Sequence, residues 1–224
     1  MTIQQKSSFL LKSYGNLWLL YIAFGILISI ITYWFPNIID SQYKQTDIIE
    51  MAKSNPFQLF MLACILAPIV EEMMFRTLIK PSHSDLILFV CSWTIFIGGA
   101  FFSNTLYWFL KLIFSLILLY SLHTILKQLI PEEQTVKLRN ILSQFTLPIL
   151  IISAIIFGLV HINNYVTDVT FNIHLLILVI PQIIAGFVLG IVKKKNKNLA
   201  WSIGLHFMNN IVPVTIIILE NPLS

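Results

Sequence analysis

Apolar residues run through this chain in long blocks, separated by short polar stretches that carry most of the charge. A helix crossing a hydrocarbon layer of about 30 Å needs about 20 apolar residues, more than most buried helices of water-soluble domains supply. The blocks predict spans near 17–35, 56–80, 85–103, 105–128, 145–164, 172–192 and 199–219. Trp18, Trp34, Trp93, Trp108 and Trp201 mostly fall near proposed ends, where amphipathic rings anchor at an interface. Asn55-Pro56 and Lys80-Pro81 punctuate the second span on both sides. The predicted fold class is therefore all-α, a polytopic transmembrane helix bundle of about seven spans. No heptad, repeat or long linker interrupts it.

Composition agrees with this pattern: 57% of residues are hydrophobic, 11% are charged, and the mean hydropathy is +0.84. With 224 residues, the spans leave no room for a separate soluble domain. Residues 1–55 read as an N-terminal span and outer loop, and 56–219 as the functional core. Lys6 and Lys12 precede an apolar run too long for a signal peptide's core, so that run reads as an uncleaved first span. Cys64 and Cys91 lie inside apolar segments and read as buried thiols.

The net charge of +4 is modest, and its distribution is more informative. With the N-terminus inside, Lys6, Lys12, Lys80, Lys127, Lys137, Arg139, Lys193, Lys194, Lys195 and Lys197 all fall on the cytoplasmic side. Only Lys44 and Lys53 fall outside, while Arg76 and Lys111 lie within spans. This positive-inside bias puts the N-terminus inside and, with an odd number of spans, the C-terminus outside. The cluster from Lys193 to Lys197 reads as an inner-face anchor. The expectation is a multi-pass protein of the cell membrane, with the lipid bilayer as its surroundings and no nucleic-acid partner.

Against this apolar background three polar groupings stand out. Glu71, Glu72 and Arg76 lie within the second span; His161 follows the apolar run Ile149 to Val160; His206 and Asn210 lie in the seventh span. One charge at the centre of a spanning helix costs roughly 3 kcal/mol even on lenient scales, so such groups pair, face a wet interior or do chemistry. Glu72 and Arg76 are four residues apart and share a helix face, which suits an ion pair. Glu71 points about 100° away, free to face the bundle interior as a base. His206 and Asn210 also share a face, and an amide there can orient an imidazole or polarise a carbonyl. One carboxylate, two imidazoles and an amide suffice to activate water against a carbonyl. Glu71, His161 and His206 would equally serve as a three-residue zinc set with an open position. Helix depths computed at 1.5 Å per residue match for Glu71 and His206 but leave His161 nearer the outer surface. His83, His123 and His174 read as structural or surface residues, Gly186 and Gly190 as a close-packing face, and Pro148, Pro181 and Pro213 as kinks.

Glu71-Glu72-x-x-x-Arg76, then Phe157-x-x-x-His161, then His206-x-x-x-Asn210, in order on separate apolar helices, resemble the CPBP family. These are the CAAX-protease and bacteriocin-processing, or Abi, intramembrane proteases, which include the eukaryotic Rce1-type endopeptidases. Gly186-x-x-x-Gly190 ahead of a basic stretch is also similar to the region before the family's third motif. The resemblance covers about 56–219 and implies an endopeptidase whose site opens to the cytoplasmic side. It implies that Glu71 activates water with His161 as partner, that His206 and Asn210 stabilise the oxyanion, and that Glu72 and Arg76 support them. Its cofactor is left open: Glu71, His161 and His206 would hold a zinc ion, while a metal-free glutamate mechanism is slightly favoured. The implied substrate is a small membrane-associated peptide or a lipidated protein, in bacterial peptide processing (a bacteriocin or signal precursor) or self-immunity. The alternatives are a non-catalytic membrane scaffold or immunity protein, and a proton-coupled transporter using Glu71, His161 and His206 as a relay.

Overall fold

The computed structural model describes residues 1–38, 43–99, 107–166 and 172–222, and among these there is no strand. Ten helices follow in order: α1 Ile3–Trp34, α2 Thr46–Ser54, α3 Pro56–Phe75, α4 His83–Gly99, α5 Trp108–Leu129, α6 Glu132–Gln144, α7 Thr146–Val160, α8 Ile173–Leu178, α9 Ile180–Asn196 and α10 Leu199–Glu220. Among the described residues, five stretches are long and apolar enough to cross a membrane: α1, α3, α5, Thr146–Asn164 and α10. The apolar stretch of α4, His83–Gly98, is shorter.

Local chemistry explains many of the boundaries. Thr2 and Gln5 form a reciprocal capping box at the start of α1. Asn55 accepts from the Gln58 amide and Pro56 occupies the first turn, so α3 starts where the sequence placed it. Asn198 caps α10 by accepting from the Ala200 amide. Pro181 sits in the first turn of α9, where its missing N–H leaves no bond unmade.

The structure departs from the expected spans in four places. α1 begins at Ile3, well before residue 17, because the polar stretch after Thr2 remains helical. α3 stops at Phe75, not at 80, and contains a π-helical segment over Met61–Leu66. The expected span 172–192 is interrupted at Val179 and runs on to Asn196. Two helices with polar faces, α2 and α6, occupy segments expected to be loops. The part of the 85–103 span beyond residue 99 lies outside the described residues.

The core is organised around α7 and α9. A β-carbon added at Gly186 would lie 3.1 Å from the Ala154 α-carbon, and one at Gly190 would lie 3.1 Å from Leu150. Glycine at these positions lets the two helices pack closely, and a larger residue would push the neighbours back by a few tenths of an ångström. Phe157, Leu189, Val192 and Leu205 are buried together with Leu17 of α1, Met74 and Phe75 of α3.

One charged residue does not behave as expected. Lys193 is no surface anchor: it is 1% exposed, and its Nζ lies 2.9 Å from Asp85 Oδ2. The same carboxylate oxygen accepts from the Ser82 amide and hydroxyl, so the first turn of α4 is locked onto the last turn of α9.

Candidate active site

The early end of α3 shapes the site. The chain after Arg76 continues as turns in which Thr77 and Ile79 are wholly buried, so irregular backbone is enclosed by protein. Glu71 and Glu72 therefore sit close to a helix C-terminus instead of mid-helix. α7 runs antiparallel to α3: Arg76 meets Ser153, and Glu71, further back along α3, meets His161, two turns beyond Ser153. That pairing removes the depth mismatch expected for His161.

Glu71 Oε2 lies 3.7 Å from His206 Nε2 and 4.0 Å from His161 Nε2. Each imidazole has its other nitrogen engaged. His161 Nδ1 lies 2.7 Å from the Phe157 carbonyl, and His206 Nδ1 lies 3.1 Å from Glu72 Oε1. A carbonyl oxygen only accepts, so His161 Nδ1 carries a proton, and a neutral ring then presents Nε2 as a lone pair. The Glu72 carboxylate likewise favours a proton on His206 Nδ1. Two Nε2 atoms thus face one oxygen of Glu71, which has no hydrogen-bond partner of its own.

Glu72 and Arg76 form the expected ion pair, with 3.4 Å between Nε and Oε2 and neither side chain exposed. Arg76 Nη1 donates to Ser153 Oγ at 2.8 Å, and the Ser153 hydroxyl donates to the Phe75 carbonyl. The Phe157 ring closes the group from one side: Arg76 Cζ lies 4.6 Å from its centroid, the His161 ring 4.8 Å and the His206 ring 5.6 Å.

Asn210 is on the same helix as His206, but its amide is engaged elsewhere. Nδ2 donates at 2.9 Å to the carbonyl of Ala63, inside the π segment of α3. Its Oδ1 accepts from Asn209, whose own Oδ1 accepts from the Tyr21 hydroxyl of α1. The second N–H of the Asn210 amide remains available.

The donor set suits zinc in kind but not in spacing. Zinc–ligand bonds of about 2.0–2.1 Å place tetrahedral ligand atoms about 3.3–3.4 Å apart. The observed 3.7 and 4.0 Å are wider, and among the described residues no three His, Cys, Asp or Glu side chains close around a metal position. A water at about 2.8 Å from both partners fits either gap unchanged.

Sequence reasoning missed Ser153 and Tyr21. Ser153 lies four residues before Phe157 and eight before His161, the spacing of one helix face, so a hydroxyl in that run was a readable signal. His83 and His174 are engaged elsewhere, with Thr135 and the Ile38 carbonyl.

Together the fold and the site define a helical membrane protein built around a partly buried carboxylate held between two imidazoles. The family model described as Type II CAAX prenyl endopeptidase Rce1-like matches residues 53–212, more than two thirds of the chain, and the protein belongs to this protease family. All of α1, Tyr21 included, lies ahead of the matched region. No curated protein and no solved structure matches the chain.

Proposed function

We propose that the protein is an intramembrane endopeptidase that uses Glu71 to activate water, with no metal taking part. The observation that carries this reading is the convergence of two oriented Nε2 atoms on one oxygen of Glu71. Water between them gives a proton to Glu71 Oε2 as its oxygen bonds to the scissile carbonyl carbon. His161 Nε2 accepts a hydrogen bond from the other O–H of the water, which stays on the oxygen, and so aims the lone pair. His206, when protonated at Nε2 as well, and the free N–H of Asn210 donate to the oxyanion. Glu72, bonded to His206 Nδ1, compensates that positive charge. When the C–N bond breaks, Glu71 returns its proton to the leaving nitrogen. The spacing around Glu71 favours water over tetrahedral zinc at this centre.

The surroundings extend the proposal. With the five long apolar helices, α4 and α9 are read as completing seven passes, and the positive-inside bias of the loops supports an inner N-terminus and an outer C-terminus. The site then serves a small apolar peptide or lipidated protein at the cytoplasmic side of the cell membrane. Bacterial peptide processing or self-immunity is the setting proposed. The test is to purify wild type and Glu71→Ala in detergent. Each is incubated with a farnesylated CAAX peptide and a library of small secreted-peptide precursors, with and without chelator. Fragments from wild type alone, unaffected by chelator, are expected in mass spectra. Equal fragments from Glu71→Ala would overturn the role of Glu71, and loss of cleavage with chelator would restore the metal.

A further inference from the structure

Hydroxyls within the apolar helices of this protein generally bond back to their own backbone. Ser29, Thr94, Ser115, Thr124 and Thr215 each donate to the carbonyl four residues earlier. Such back-bonding is the default for Ser and Thr in a helix. Ser153, which is 9% exposed, does otherwise. It donates across to α3, to the Phe75 carbonyl, and accepts from Arg76 Nη1 at 2.8 Å.

Both bonds follow from where α3 ends. The Ile79 amide bonds the Arg76 carbonyl, so no amide four residues on takes up the Phe75 carbonyl. Ser153 supplies the missing donor. Its single proton is then committed, and only lone pairs face Arg76. Arg76 is wholly buried, and its Nη2 has no partner. A buried guanidinium beside a carboxylate favours a fork, with two nitrogens on two oxygens. In this structure it does not adopt one: Nη1 is held by Ser153, Nη2 bonds nothing, and Nε lies 3.4 Å from Glu72 Oε2. Glu72 Oε1 accepts no hydrogen bond from Arg76 and lies 3.1 Å from His206 Nδ1.

We propose that Ser153 is a positioning residue that keeps Arg76 from forking across Glu72, and so reserves Glu72 Oε1 to orient His206. The inference rests on the proposed role of His206 for its catalytic meaning, but the orientation itself can be tested without a substrate. Without Oγ, Nη1 has no partner, and the guanidinium is free to turn about its contact with Glu72 Oε2 and span both oxygens of that carboxylate, the one His206 now uses included. His206 then loses the bond that fixes its tautomer.

The experiment is nitrogen-15 NMR of histidine side chains in the full-length protein in detergent micelles, at a single pH. There are five histidines, and His206→Gln assigns the signal of interest. Ser153→Ala is expected to remove the signature of a protonated Nδ1 at His206, and Ser153→Thr to retain it. Adding Arg76→Lys, which cannot fork, to Ser153→Ala is expected to bring the signature back. Should Ser153→Ala fail to fold, Ser153→Cys, close in volume and weak in hydrogen bonding, is read in its place. His206 signals that superimpose on wild type in the folded variant overturn the inference. Turnover of the farnesylated peptide adds the second axis, with kcat expected to fall about tenfold at unchanged KM and to recover with Thr. An altered His206 signal in a protein that cleaves nothing overturns the peptidase reading alone. Cleavage with an unaltered signal overturns only the role of Ser153.

Discussion

Lys193 and Asp85 meet at 2.9 Å at the junction of α9 and α4, and Glu72 and Arg76 meet at 3.4 Å beside the two imidazoles. Both pairs are almost wholly removed from solvent, yet they are furnished differently. Asp85 also accepts two bonds from Ser82, whereas Arg76 keeps Nε and Nη2 without a well-aligned acceptor. Burying an ion pair repays its desolvation only when the remaining hydrogen-bonding groups are satisfied. The first pair meets that condition and behaves as a strut. The second falls short of it, and what it gains is the orientation of His206 through Glu72. A well-satisfied ionic pair in this bundle thus marks architecture, and an under-satisfied one marks the centre where chemistry is proposed.

Breaking each side of the contrast should give opposite signatures. Glu71→Gln is expected to lower kcat by about a thousandfold, within the span attributed to a general base, while the melting temperature in detergent stays where it was. Lys193→Met should do the reverse. It strands a buried carboxylate at a cost of about 3–5 kcal/mol, read as a lower melting temperature, with kcat per folded molecule unchanged. Adding Asp85→Leu to it is expected to recover most of that loss; if the double variant is no more stable than the single, the strut reading fails.

The packing that holds both pairs apart gives a smaller effect. A β-carbon at Gly158 would sit 2.2 Å from Ile183 Cγ1 and 3.0 Å from the Ile183 amide. Gly158→Ala should therefore destabilise by about 1–3 kcal/mol, the range for an overpacked core. Ile183→Ala in the same chain should relieve the side-chain part only, leaving the double variant below wild type in thermal melts. Smallest is the partly exposed pair Arg139–Glu132 at 3.1 Å, where Arg139→Ala should shift stability by no more than about 0.5 kcal/mol.

The sequence made the helical class, the second span's start and the Glu72–Arg76 pair legible, while the meeting of Glu71 with His161 and His206 was implied by the family resemblance. Apolar length and four-residue spacing are local properties, and local properties survive folding. The end of α3 at Phe75 was not legible, since Thr77, Leu78 and Ile79 continue the apolar run and only tertiary burial lets the chain turn there. Lys193 looked like its neighbours Lys194 and Lys195 because its acceptor, Asp85, stands 108 residues away in the chain. The bond from one N–H of Asn210 to Ala63 was not legible either, because it depends on a π segment that no periodicity announced. α2 and α6 were lost for a simpler reason: a search for long apolar runs passes over short helices with a polar face.

That π segment also matters when α3 is considered as a wave. One additional residue in a turn shifts everything downstream by about 100°, so the residues before Met61 and those after Leu66 follow the same rhythm out of step. Glu71 owes its bearing to that slip. A straightened α3 of unchanged length would carry the carboxylate roughly a quarter-turn past the two imidazoles. The Ala63 carbonyl held by Asn210 is thus the notch that keeps the two halves of the helix at their offset.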